Sequence, residues 1–494
     1  MKFLRALLLL LLAWPHPAFA HVGSKDVFEQ TTAGAYRLFV TIRMPNVIPG
    51  VANVEVRSTG ATITAINITP LPLTGEASKH PPIPDLMKVS PPDPAFFTGA
   101  VWMMASGSMQ IRFNIAGPEG NRTVSIPVPA VAISTLKMNR GLGITLSLLG
   151  LFLILTMAGV VAAAVREARL QPGTLPTPAL RRRSIVAMTA SLAFMTVAVI
   201  LGAKWWNVEA ADYSQAIYRP LNTTASLSGN RLDLTVRPYN PENRFRKRSN
   251  ADFIPDHGHL MHLYAIRQPG MDAVFHLHPL RSGPGEFRLD LPAMPPGYYT
   301  LYGDVVHANG FPETLVTTLT IPVGMPAAPS GPDDAAALAP PISTAQLGNS
   351  FRLPDGYTIV WAPPAPLTAN TAYTFHFRLM APDGKPAPDM QPYMGMAGHA
   401  AFVKTDGAVF AHVHPDGSAA MAAVMIANPV SPDSMPDMPG MTGISHPPGS
   451  SQDSNANAVD FPYGFPTPGR YRIFVQMKHS TTVETGVFDA VVVQ

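Results

Sequence analysis

The chain reads AVFHLHP at Ala273 to Pro279 and AVFAHVHP at Ala408 to Pro415. Side chains two apart on a strand share a face, so His276 and His278 project together, as do His412 and His414. Each pair can present two imidazoles to one ion, and imidazole suits zinc, copper, iron and nickel. A third histidine is spaced alike in both copies: His262 lies fourteen residues before His276, and His399 thirteen before His412. Taken singly, such a pair reads more simply as a buried core histidine followed by one that opens a turn. The same three roles written twice favour a metal.

The flanks point to which metal. DHGHLMH adds His257, His259 and Met261 to the first copy, and YMGMAGH offers Met394 and Met396 to the second. Thioether beside imidazole selects Cu(I), whereas zinc is more often served by cysteine or carboxylate. Met261, inside an expected strand, reads as core filling. Met435, Met438 and Met441 recur every third residue in a Pro, Ser and Gly-rich insertion, with His446 following. They fit a Cu(I) or Ag(I) capture loop, the alternative being a linker in which Met has no role. His307 and His479 each stand ten residues after a strand-opening glycine, Gly297 and Gly469, as candidate fourth ligands or groups behind the ligands. His376, on TFHFRL, has no counterpart in the first copy and reads as a core histidine.

These histidines need rigid strands to hold them. Residues 1–20 have Lys2 and Arg5 before an apolar run and end in Ala18-Phe19-Ala20, the pattern of a cleaved secretory signal. Cleavage would leave His21 at the N-terminus, its α-amine (pKa about 8) and imidazole forming a candidate copper chelate. Residues 141–165 and 184–203 are uncharged and long enough to span a bilayer, which takes about 20 residues. The loop 166–183 carries five arginines and one acid, so the positive-inside rule places it in the cytoplasm. The expected location is the cell membrane, crossed twice, with 21–140 and 204–494 both extracytoplasmic (periplasmic in a Gram-negative cell).

Within 21–140, short alternating runs such as YRLFVTIR and MQIRFNI, separated by Gly, Pro and Asn, predict a β-sandwich, with a long Pro-rich loop at Glu76 to Pro94. Strands recur in 204–325 and, after a Pro, Ala and Asp-rich linker at 326–345, in 346–494. The two series look like a duplicated module, the second carrying a Met-rich insertion at 428–458. With 0 Cys in 494 residues no disulfide is available, and each domain must rely on its apolar core. The fold class is mainly β: three sandwiches, with a two-helix transmembrane hairpin between the first and second.

Other chemistry lacks its signatures. The chain shows no Gly-rich phosphate loop, no GxSxG, no HExxH and no CxxCH. Net charge is only +3, part of it in the cytoplasmic arginines, so nucleic acid is not an expected partner. The spans contain no ionisable residue and serve as anchors.

The segments HLMHLYAI, VFHLHP and GYYTLYGDVVHANG, and YMGMAGHAAFVKTDGAVFAHVHP with GRYRIFVQMKH, resemble the YtkA-like β-sandwich domains of bacterial exported copper-handling proteins, over roughly residues 255–321 and 393–493. The resemblance implies immunoglobulin-like sandwiches and a role in binding or delivering copper, carried by His262, His276, His278, His399, His412 and His414. HVGSKD at His21 is similar to the start of copper-resistance protein C-like domains, though the segment's only other histidine is His80. The expected protein is a non-enzymatic copper carrier or store, Cu(I) or Cu(II), whose partners are the ion, the lipid bilayer and another copper carrier or a membrane transporter. The rival readings are an envelope scaffold or adhesion protein with structural histidines, and an enzyme with copper at His21.

Overall fold

The computed structural model describes residues 25–238, 248–342, 347–364, 366–429 and 457–494. The expected signal at residues 1–20, His21, His446, Met435, Met438 and Met441 lie outside the described residues. The chain is mainly β and forms two compact units, one from Met1–Val131 with Tyr218–Gln494 and one from Ala132–Ile217.

The second unit is a helical hairpin. Its helices, α1 (Arg140–Glu167) and α2 (Pro178–Gln215), are long and apolar enough to cross a membrane, with mean hydropathy of 2.6 and 2.2 over their most apolar stretches. Asn139 caps α1 through Gly141 N at 2.8 Å. Thr177 caps α2 through Leu180 N at 3.3 Å, and Pro178 fits the first turn because its missing N–H would be unsatisfied there anyway. Both helices outrun the expected spans, α2 by twelve residues at its C-terminal end, because Lys204 to Gln215 contains no helix breaker.

In the first unit the N-terminal domain has a five-stranded and a four-stranded sheet. The expected loop at Glu76 to Pro94 is more ordered than its prolines suggest. It contains a 3-10 turn at Glu76–Lys79 and the short strands Asp85–Leu86 and Lys88–Ser90, which pair at sheet edges where a proline nearby costs no ladder hydrogen bond.

The duplicated modules each pair a four-stranded with a six-stranded sheet. In the first, Leu232, Leu234 and Phe287 of one sheet pack on Leu263, Ala265, Phe275 and Leu277 of the other. In the second, Phe375, Phe377 and Phe461 meet Ala400, Phe402 and Val413. The alternate residues of the same strands form another core. Tyr264, Ile266 and Val274 of the first module pack on Ala401, Val403 and Phe410 of the second. The six-stranded sheets therefore bury both faces, one inside their own module and one against the other module.

That second face also enlists the linker. Within the segment 326–345, Ala335–Leu338 is a strand that pairs with Ala273–Leu277, setting Ala335 opposite His276. The chain there is extended because it completes a sheet edge that the Pro and Ala-rich composition does not advertise. Arg472, fully buried, locks the seam. It pairs with Asp489 (2.8 and 3.1 Å) and donates to the carbonyls of Met271 (3.0 Å) and Pro340 (2.8 Å).

Candidate metal centre

The outward face of each six-stranded sheet carries the histidines. His262 opens strand His262–Gln268 on the same face as Tyr264 and Ile266, and His276 lies opposite Tyr264 on the neighbouring strand. His399 opens His399–Lys404 in the same way, with His412 opposite Ala401. Because those faces pack together, the two sets meet. Sequence reasoning assigns three histidines to each module, with His257 and His259 flanking the first; the structure gathers all eight into one cluster.

The flanking pair sits on a tight turn. Asp256 N donates to His259 O (2.8 Å) and His259 N to Asp256 O (3.0 Å), with His257 and Gly258 at φ 49° and 86°. Positive φ at both central positions is the type I′ arrangement. Tyr393 to Met396 forms the matching turn in the second module, Met394 and Gly395 having φ 50° and 83°. The turns touch: His257 Nδ1 donates to Met394 O at 3.1 Å.

Two groups emerge with ligand nitrogens within 4.8 Å of one another: His262, His276 and His278, and His257, His399 and His414. The second draws on both modules. His412 lies among them, its ring 4.6 Å from that of His414, 5.4 Å from those of His262 and His399, and 5.7 Å from that of His276.

The proton positions can be worked out. His262 Nε2 is 2.9 Å from Asp256 O, and a carbonyl only accepts, so the proton is on Nε2 and the lone pair on Nδ1. His276 Nδ1 is 2.8 Å from Gln476 Oε1. The Tyr393 hydroxyl, whose own proton goes to Asp333 O at 2.7 Å, lies 3.3 Å from the same His276 nitrogen and can only accept from it, which puts the proton on Nδ1. His276 thus donates from Nδ1 and keeps its lone pair on Nε2. The two lone pairs, His262 Nδ1 and His276 Nε2, face each other at 3.1 Å. A shared proton would relieve them, but burial first, and then the neighbouring imidazoles, push both histidines well below the usual range, so both are neutral at pH 7. Two nitrogens held by one ion at about 2.0 Å in tetrahedral geometry lie about 3.3 Å apart.

Carboxylates orient the outer rings. Asp334 lies 3.1 Å from His278 Nδ1, Asp333 3.2 Å from His259 Nε2, and Asp304 3.3 Å from His412 Nδ1. A carboxylate on the far nitrogen fixes the ring and raises its basicity as a ligand. The Nε2 atoms of His278 and His412, and both nitrogens of His399 and His414, are buried without a hydrogen-bond partner. Each such orphan costs about 1 to 3 kcal/mol in a closed interior. A bound ion would recover that cost. A cavity of about 130 Å³ reaches His262, His412 and His414 and is lined also by Lys25 and Asp26 of the N-terminal domain.

The remaining histidines lie elsewhere. His307 is held by Asp252 (2.8 Å) and Glu313 (2.9 Å), and its ring neighbours are Phe253 and Phe311, so it is not a fourth ligand to either group. His479 stacks on Tyr357 and forms a separate group with Asp355 and Glu484. His376 is not a core residue: it is partly exposed, bonded to Asp460 and receiving a hydrogen bond from Arg378, because its side chain points away from the Phe375 and Phe377 side of its strand. Met261 packs in the first module's core. Sequence reasoning misses Asp304, Asp333, Asp334, Tyr393 and Gln476. The adjacent acids in the Pro and Ala-rich linker are the only signal it offered.

Comparison with known proteins places one segment. Residues 352–494, nearly the whole second module, match a family described as Domain of unknown function (DUF8832). No curated protein matches the chain. Among solved structures, dimeric latent PorU from Porphyromonas gingivalis aligns with 8% identity over 95% of this chain and 34% of its own, at a TM-score of 0.14. The native conformation of E. coli alpha-2-macroglobulin aligns with 8% identity over 94% of this chain and 25% of its own, TM-score 0.16. A putative membrane anchored protein from Corynebacterium diphtheriae gives 9% identity over 95% and 96%, TM-score 0.14. This chain thus spans about a third and a quarter of the length of the first two structures, and its second module is similar to the DUF8832 family.

Proposed function

We propose that this chain is a membrane-anchored, extracytoplasmic copper-binding protein that holds its ion in the histidine cluster between the two C-terminal modules. The observation that carries the reading is the pair of facing lone pairs on His262 Nδ1 and His276 Nε2, 3.1 Å apart in a buried site where neither ring is charged. Two neutral acceptors pressed together need a cation between or beside them.

The donor set argues for copper. It is imidazole throughout, the carboxylates sit on the far nitrogens, and the chain has no cysteine. Imidazole serves zinc as well as copper, and the methionine-rich run at Met435, Met438 and Met441 tilts the choice toward Cu(I). We place the sheet pairs with the immunoglobulin-like, YtkA-like sandwiches, and the two helices α1 and α2 as a two-pass anchor with the arginine-rich loop in the cytoplasm. The role is that of a carrier or store exchanging copper with another carrier or transporter; no catalytic step is needed.

The test is metal content and competitive titration of the purified full-length protein. Copper retained in preference to zinc, and reduced when His262 and His276 are both changed to Gln with the fold retained, is the expected result. A folded parent that takes up no copper overturns the reading and favours an envelope scaffold with structural histidines.

A further inference from the structure

Accepting a metal-binding cluster leaves open how many ions it holds, and the geometry bears on this. The two groups of three share no residue, yet they are not separate sites. The rings of His257 and His262 are 6.2 Å apart, those of His276 and His399 6.3 Å, and those of His262 and His399 6.4 Å. One ion with bonds of about 2.0 Å cannot gather six imidazoles spread over this width in the three- or four-coordinate geometries that copper and zinc adopt with nitrogen. A single ion in the first group would leave both nitrogens of His399 and of His414 buried without a partner, and a single ion in the second would leave His278 Nε2 so.

His412 stands between the groups. Its Nδ1 is turned to Asp304, while its Nε2 is buried, without a hydrogen-bond partner. The pairing across the seam is reciprocal, since the first module's Asp304 holds a histidine of the second module and the second module's Gln476 holds His276 of the first. His262 lies opposite Asp304, and His399 opposite Gln476, in equivalent strand pairs.

We infer that the cluster is a single two-ion centre, with one copper on His262, His276 and His278, a second on His257, His399 and His414, and His412 between them. The inference rests on the copper reading above. It adds that the two ions are neighbours, that one of them is held by both modules, and that neither module alone can complete the centre.

The experiment is to load the full chain with Cu(II) and compare copper per chain with the spins counted by EPR. A coupled pair gives a half-field transition or, with all bound copper verified as Cu(II) by its X-ray absorption edge, a shortfall of about two spins per chain, which isolated Cu(II) ions cannot produce. His278→Gln and His414→Gln, one in each group, should each remove about one copper and abolish the coupling signal, with the circular dichroism of the parent. If either variant fails to fold, the parent's own spectrum still decides. Copper bound with every spin counted and no half-field transition overturns the two-ion centre while leaving copper binding intact. Loss of all cluster copper in both folded variants shows a one-ion site and also overturns it. No copper in the parent sinks the underlying reading instead.

Discussion

Asp304 and Gln476 occupy equivalent places in the two modules, each opposite the histidine that opens the neighbouring strand, and each reaches across the seam to a histidine of the other module. The exchange ties the two modules together through equivalent positions. Their shared face, not the interior of either, is where the histidines collect.

His399 has both ring nitrogens buried without a hydrogen-bond partner. Replacing a buried, unsatisfied polar ring with a hydrocarbon removes its desolvation cost. His399→Leu should therefore raise the apparent Tm of the chelator-treated protein, by the equivalent of about 1 to 2 kcal/mol, and shrink the further rise on adding copper. Thermal denaturation with and without copper checks it. A lower Tm in the metal-free variant would assign His399 a structural role.

Arg472 and Asp489 form a buried, bidentate pair whose remaining guanidinium donors satisfy carbonyls of the first module and linker. Arg472→Met should cost about 3 to 5 kcal/mol, because it strands a buried carboxylate. Adding Asp489→Leu should return part of that loss. Urea denaturation of the single and double variants measures both, and equal stability of the two would contradict the account.

His307 is raised above its ordinary pKa of 6.5: burial opposes its charge, but the hydrogen bonds and charges of Glu313 and Asp252 outweigh burial. A raised folded pKa means that the group stabilises the fold fully below pH 6.5 and loses that contribution as pH rises through the higher folded value. The parent should exceed His307→Gln in stability most at about pH 5.5 and converge toward it in alkali. Paired denaturation curves across pH test the sign.

Glu484 behaves in the same sense for a different reason. Burial, and then the charge of Asp355, lift its carboxyl from 4.5 to about 7. The folded form holds the proton longer than the unfolded one, so this group's contribution is complete below pH 4.5 and lost as pH rises to about 7. In Glu484→Gln the fall in stability across that window should flatten. An unchanged pH profile would place the carboxyl in an ordinary solvated setting.

Much of the strand layout was legible because alternation marks it. YRLFVTIR at Tyr36–Arg43, His276 and His412 fall on strands, while His278 and His414 lie just past the strand ends with their rings 4.6 Å from those of His276 and His412. The linker strand Ala335–Leu338 was not legible, since four residues of Ala and Leu carry no period and are extended only because the edge at Ala273–Leu277 needs a partner. His376 misled for a related reason: a strand flanked by phenylalanines says which residues alternate, but not that the intervening face meets Asp460 and solvent.

The sequence by itself determined the duplication, the histidine triplets and their common face, and two helices apolar enough to cross a membrane, because these depend on local spacing and hydropathy. Only the tertiary structure decided that the triplets form one cluster. That follows from packing between sheets more than a hundred residues apart in the chain, where Tyr264 and Ile266 cover Ala401 and Val403 and draw His257, Asp304, Asp334 and Gln476 around the same rings. Side-chain alternation is a property of one strand, whereas which surface covers that strand is a property of the whole fold.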